Sequence, residues 1–75
     1  MPKLPRIPSS IILRALKRAH FYTYNQTGSH IQLRHLVKKH LRITIPYGKK
    51  DLTPKTLKTI IKQAELTIEE FIQLI

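Results

Sequence analysis

The stretch "GSHIQLRHLVKKHLRITIPY", Gly28 to Tyr47, decides the fold, because two periods compete in it. "HIQLRH", His30 to His35, alternates apolar and polar residues as a half-buried strand does. "LRITIPY", Leu41 to Tyr47, alternates in the same way and stops at Pro46, which cannot donate to a sheet ladder. The rival reading joins the two. "IQLRHLVKKHLR" sets Leu33, Leu36, Val37 and His40 at helical spacing, the pattern of a basic amphipathic helix of the membrane-surface or calmodulin-target kind. The β-branched "RITIP" and the turn before His30 favour strands. On that choice Ile31 and Leu33 share one sheet face with Leu41, Ile43 and Ile45, while His30, Gln32, Arg34, Arg42 and Thr44 share the other.

Working outward, Thr27-Gly28-Ser29 reads as a turn in which Gly28 takes a positive φ without steric cost. The aromatic, Thr-rich "FYTYNQ", Phe21 to Gln26, suits a preceding strand. Before it, Ile12, Ala15, Leu16 and Ala19 form one apolar helical stripe, with Ser9 or Ser10 as the expected cap and an end near His20. Pro2, Pro5 and Pro8 make the first eight residues extended. On the other side, Gly48-Lys49-Lys50-Asp51 is a loop. Thr53 caps a second helix with Pro54 at its first position, where a missing N–H costs nothing. Leu57, Ile60, Ile61 and Ala64 are its apolar stripe, and Lys55, Lys58 and Lys62 a basic one. "TIEE" is a capping box, Thr67 with Glu70, that opens a short third helix through Leu74. The expected fold is therefore α+β: one domain over residues 1–75, α-β-β-β-α(-α), with a three-stranded antiparallel sheet and its helices on one face.

Charge narrows the function. Fourteen Lys and Arg face four acids, for a formal net charge of +10. All four acids, Asp51, Glu65, Glu69 and Glu70, lie in the last third of the chain, so the first fifty residues hold eleven bases and no carboxylate. Such a stretch cannot neutralise itself with salt bridges, and its field attracts polyanions. Nucleic acid is the first expectation and an acidic protein partner the second. A basic surface kept for solubility alone needs less charge, spread more evenly. With no cysteine there is neither a disulfide framework nor a thiolate metal site. The basic, proline-broken start lacks the apolar region of a signal peptide, and no apolar run approaches the roughly 20 residues of a membrane span. The expectation is a small soluble protein of the cytoplasm. Nothing in the sequence sets its oligomeric state.

Several chemistries drop out. His30 and His35 are five apart and point to opposite faces of a regular strand, while His20 and His40 belong to other element ends, so the four histidines do not read as a metal site. No Cys, no Ser–His–Asp set, no phosphate loop and no dinucleotide fingerprint is present. What remains is acid–base work by His30, since imidazole exchanges protons near neutral pH. RNA brings its own nucleophile, the 2′-hydroxyl, and asks of a catalyst only an acid or base near that oxygen and cations near the phosphate. His30 with Arg34 and Arg42 on one face supplies both residue types, although a lone strand histidine is more often a surface or hydrogen-bonded residue; Gln32 either touches a base or ribose or is a solvated strand residue, with the solvated role favoured. Lys55, Lys58 and Lys62 are either a solvated helix face or a track for the RNA backbone. Tyr22 and Tyr24 share a strand face and either pack or stack on bases, with packing favoured. The competing reading is a non-catalytic RNA-binding module of the double-stranded-RNA-binding type, with the same fold and charge.

Taken together, "PKLPRI", the first helix with Leu16, Phe21 after it, "GSHIQLRH", "ITIP" and "DLTPKTLKTIIKQAELTIEEF" resemble the HicA family of toxin–antitoxin systems over nearly the whole chain. The resemblance implies a compact domain similar to double-stranded-RNA-binding domains. It implies a toxin, an mRNA interferase, that cleaves messenger RNA without a metal or other cofactor, and a HicB-like antitoxin that blocks it. It implies that His30, in the family's Gly-Ser-His motif with Gly28 and Ser29, is the catalytic residue. The chain departs from the family pattern at His20 and Glu65, where glycines usually end the two helices, at Lys55, where a glycine usually precedes the threonine, and at Tyr47, where histidine is frequent.

Overall fold

A computed structural model describes residues 6–48 and 52–75. The extended reading of the first residues and the loop at 49–51 lie outside the described residues. The observed order is α1 (Ser9–Arg18), β1 (Phe21–Thr27), β2 (His30–His35), β3 (Arg42–Pro46), α2 (Pro54–Gln63) and α3 (Ile68–Leu74). The strands form one antiparallel sheet in the order β1-β2-β3. The strand reading of the middle stretch therefore holds. Leu36 and Val37, which a helix would have placed on its apolar face, are 57% and 76% exposed in the β2–β3 connection.

The sheet buries one face. Ile31, Leu33, Ile43 and Ile45 pack with Ile12 and Leu16 of α1 and Leu57, Ile60 and Ile61 of α2, and Phe71 of α3 completes the core. His30, Gln32, Arg42 and Thr44 are exposed on the opposite face, and Arg34 is half-buried. Alternation along the strands is the cause, because a helix layer can cover only one side of each. Outside the sheet, Ile7 and Leu52, both buried, make an isolated bridge that ties the segment before α1 to the segment before α2.

The start of α1 differs from expectation. Its cap is Pro8, not Ser9 or Ser10: the Pro8 carbonyl accepts the N–H groups of Ile11 (3.1 Å) and Ile12 (3.3 Å), with no side-chain cap. Ser9 is drawn into the first turn and is buried, so its backbone is already helical and cannot act as a cap. At the other end the helix stops at Arg18, and His20 takes a left-handed φ of 74°. The His20 carbonyl then accepts the Leu36 N–H at 2.9 Å, joining the α1–β1 turn to the end of β2.

The α2 terminus solves the same problem in the same way. Thr53 caps its start by accepting the Thr56 N–H. At its end Glu65 has φ 57°, the Glu65 N–H reaches the Lys62 carbonyl (3.0 Å) and the Leu66 N–H reaches that of Ile61 (3.2 Å), the paired bonds of a Schellman motif. Both departures from glycine thus keep the left-handed turn rather than rebuild it. Cβ crowding makes that conformation cost an L-residue about 1–2 kcal/mol. Glu65→Gly is therefore expected to raise stability by about 0.5–1 kcal/mol, after loss of its exposed contact with His40, and a urea midpoint shifted downward would refute this.

The third helix opens on the expected capping box. Thr67 accepts the Glu70 N–H at 3.0 Å, and Glu70 accepts the Thr67 N–H at 2.9 Å. That backbone bond, followed by the Thr67 hydroxyl, pulls the Glu70 carboxyl below its ordinary value of 4.5. At the far end Arg18 donates to the Leu74 carbonyl at 2.9 Å, placing a cation at the negative end of α3.

Candidate nucleic-acid interface

The hairpin that presents His30 is built by its turn. Thr27 pairs with His30, leaving Gly28-Ser29 as a two-residue loop. Gly28 has φ 57° and Ser29 has no positive φ, the requirement of a turn with glycine first. Ser29 in turn accepts the Tyr47 N–H at 2.6 Å, which fastens the turn to the end of β3. His30 pairs with Pro46 on that side. Gly28 and Ser29 thus set the height of His30 at the tip of the sheet, and Tyr47 follows its cross-strand neighbour directly.

Three of the four histidines serve the fold. His35 lies edge-on to Phe21, with ring centroids 4.8 Å apart, and to His20 at 6.2 Å. Its Nδ1 accepts the N–H groups of Val37 (3.1 Å) and Lys38 (2.9 Å), which orders the β2–β3 connection and requires the tautomer with hydrogen on Nε2. His40 lies 3.3 Å from the Glu65 carboxylate, and both are exposed. By contrast, among the described residues no hydrogen bond, ion pair or ring contact engages the His30 imidazole, and the residue is exposed. The described residues bring no three His, Asp or Glu side chains together in a way that could hold a metal ion.

Farther along the same face, Arg34 of β2 stands directly opposite Arg42 of β3. Like charges so placed repel, and the described residues offer neither arginine a carboxylate. On the other flank Tyr24 lies on this face by the same alternation that sets Tyr22 opposite Arg34, and a β-bulge after Thr23 brings Asn25 opposite Gln32. The Arg34 guanidinium carbon sits 3.8 Å from the centre of the Tyr24 ring, in cation–π contact. Tyr24, Gln32, Arg34, Arg42 and Thr44 surround a depression of about 150 Å³, floored by Leu33 and Ile43.

The expected site residues are therefore split. His30 with Gly28 and Ser29 occupies the tip, while Gln32, Arg34 and Arg42 line the depression beside it. Lys55 and Lys58 are exposed on α2, which packs against the opposite side of the sheet, so they do not join this cluster. Tyr24, for which packing was favoured, is 52% exposed and carries an arginine. The "FYTYNQ" alternation places it on one face with Tyr22, but its contact with Arg34 leaves no mark in the sequence.

The candidate site is thus a cationic, carboxylate-free β-face on a small α+β domain, with one unengaged imidazole at its tip. The chain belongs to the HicA family: the family model described as "HicA toxin of bacterial toxin-antitoxin" matches residues 9–66. A comparison with curated proteins finds no match. Membership makes the protein a toxin of the toxin–antitoxin kind and implies a cognate antitoxin. No helix among the described residues is long and apolar enough to cross a membrane.

Proposed function

We propose that this toxin is a metal-independent endoribonuclease that cuts messenger RNA in the cytoplasm, with His30 as its acid–base group and a HicB-like antitoxin as its inhibitor. The observation that carries the reading is the unengaged state of His30, the one histidine of four with no part in the fold, on a sheet without a carboxylate. In the reaction the ribose 2′-oxygen attacks phosphorus and the bond from phosphorus to the 5′-oxygen breaks, giving a 2′,3′-cyclic phosphate and a 5′-hydroxyl. His30 takes the 2′-proton or supplies the one the leaving 5′-oxygen needs, and solvent water carries the other proton. The backbone of Gly28 and Ser29 holds that imidazole at the rim, where an RNA strand lying across the face meets it.

The test follows from the nucleophile. RNA should be cut in the presence of a chelator, and a single 2′-deoxy sugar at the cleaved position should abolish cutting there. Cleavage that persists at the deoxy position would show that water, not the ribose, attacks, and would remove the basis for this mechanism.

A further inference from the structure

We propose that the depression between Arg34 and Arg42 is a phosphate subsite separate from the point of cleavage, so that the substrate must run along β2 as a strand and engage a second, uncut phosphate there. The proposal rests on the RNA reading of the same face. Three cross-strand rows lie on this face: His30 with Pro46, Gln32 with Thr44, and Arg34 with Arg42. The depression occupies the second and third rows and does not include His30. Its centre is about three residues from His30, or about 10 Å at roughly 3.3 Å per residue. Charge-assisted hydrogen bonds to phosphate oxygens are only about 2.7–2.9 Å long, so one phosphate cannot fill the depression and also present its ester bond to His30.

The depression is made for an anion. Arg34 and Arg42 are cross-strand partners that both line it, and neither has a carboxylate partner among the described residues, an arrangement that repels until an anion is bound. Stacking on Tyr24 holds the Arg34 head in place, so that less freedom is lost when it binds. Thr44 and Gln32 add a hydroxyl and an amide, both able to donate to phosphate oxygens. Tyr24 is then a positioning residue that acts through Arg34.

Two arms of one experiment separate this proposal from the cleavage mechanism. The first measures binding of a 2′-O-methyl RNA oligonucleotide, which has no free 2′-hydroxyl. Arg34→Gln and Arg42→Gln should each weaken it about tenfold and lower the salt slope by about 0.7, the increment for one phosphate on a single strand. Tyr24→Ala should weaken binding in the same direction and Tyr24→Phe should keep it. This arm reads out even if the wild type cuts no RNA, a result that would count against the proposed function alone. The second arm places single uncharged methylphosphonate linkages along a cleavable RNA. A linkage displaced from the cleaved bond should raise KM with kcat unchanged, and the arginine variants should be insensitive to it. Wild-type binding by both arginine variants, or a loss in kcat with unchanged KM, would overturn the proposal, the second by assigning the arginines to the cleaved phosphate.

Discussion

Substitution of His30 by alanine is expected to lower RNA cleavage by about 10²–10⁴-fold, the usual worth of one positioned acid–base group. Folding stability should hardly change. The imidazole is exposed and makes no hydrogen bond, ion pair or ring contact with the described residues, so its removal leaves neither a buried cavity nor an orphaned hydrogen bond. His30→Ala thereby separates catalysis from stability, as the other histidines cannot. His35→Ala would release two backbone N–H groups, and a loss of activity there would report a disordered connection rather than lost chemistry. The measurement is a cleavage time course beside a urea denaturation curve for the same preparation. Undiminished cutting by His30→Ala would remove this residue from the reaction. Lost cutting with a collapsed midpoint would place it in the fold instead. Growth of cells expressing the variant should follow the cleavage result, since the toxic act is assigned to that reaction.

How much of this was legible in the sequence depends on the range of the interactions. The alternation in His30–His35 and in Leu41–Pro46 fixed both faces of the sheet, because period two leaves a strand little choice once one side is buried. The caps at Thr53 and Thr67 were equally plain, since each is a bond within one turn. What could not be read depends on partners far apart in the chain. Pro8 displaced the two serines as cap because Ile7 is anchored to Leu52, a bridge without a local signal. His35 as an organiser of the loop emerges only once Phe21 and His20 are placed beside it. The same holds for the site. The residue types on the basic face were correct from parity alone, but the opposition of Arg34 to Arg42 and the contact of Tyr24 with Arg34 need the register.

Phe71→Ala is expected to be the most damaging change to the fold, at about 3–5 kcal/mol. The ring is fully buried and belongs to the same core as Leu33, Ile43 and Leu57. A chain of this size has a total stability of roughly 4–11 kcal/mol at 0.05–0.15 kcal/mol per residue, so the loss consumes a large share of it. The position gives the result its interest. Phe71 lies beyond residues 66, where the family match ends, on a helix of only seven residues. A segment that short does not hold itself together in water, so it is docking that orders it. It is held by the capping box at Thr67 within its own first turn, by the Arg18 bond to the Leu74 carbonyl, by Ile68 and Leu74, half-buried against the core, and by Phe71 inside it. The hydrogen-bonded contacts are exposed and individually small, and of the three apolar side chains only the Phe71 ring is fully buried, which makes it the dominant attachment. Phe71→Leu, which keeps much of the volume, should recover most of the loss. Thermal or urea unfolding of the two variants decides the matter. If Phe71→Ala unfolds at the wild-type midpoint, α3 is an accessory to a core that residues 9–66 already complete; if it unfolds far below, the third helix is part of the minimal domain that holds the basic face in shape.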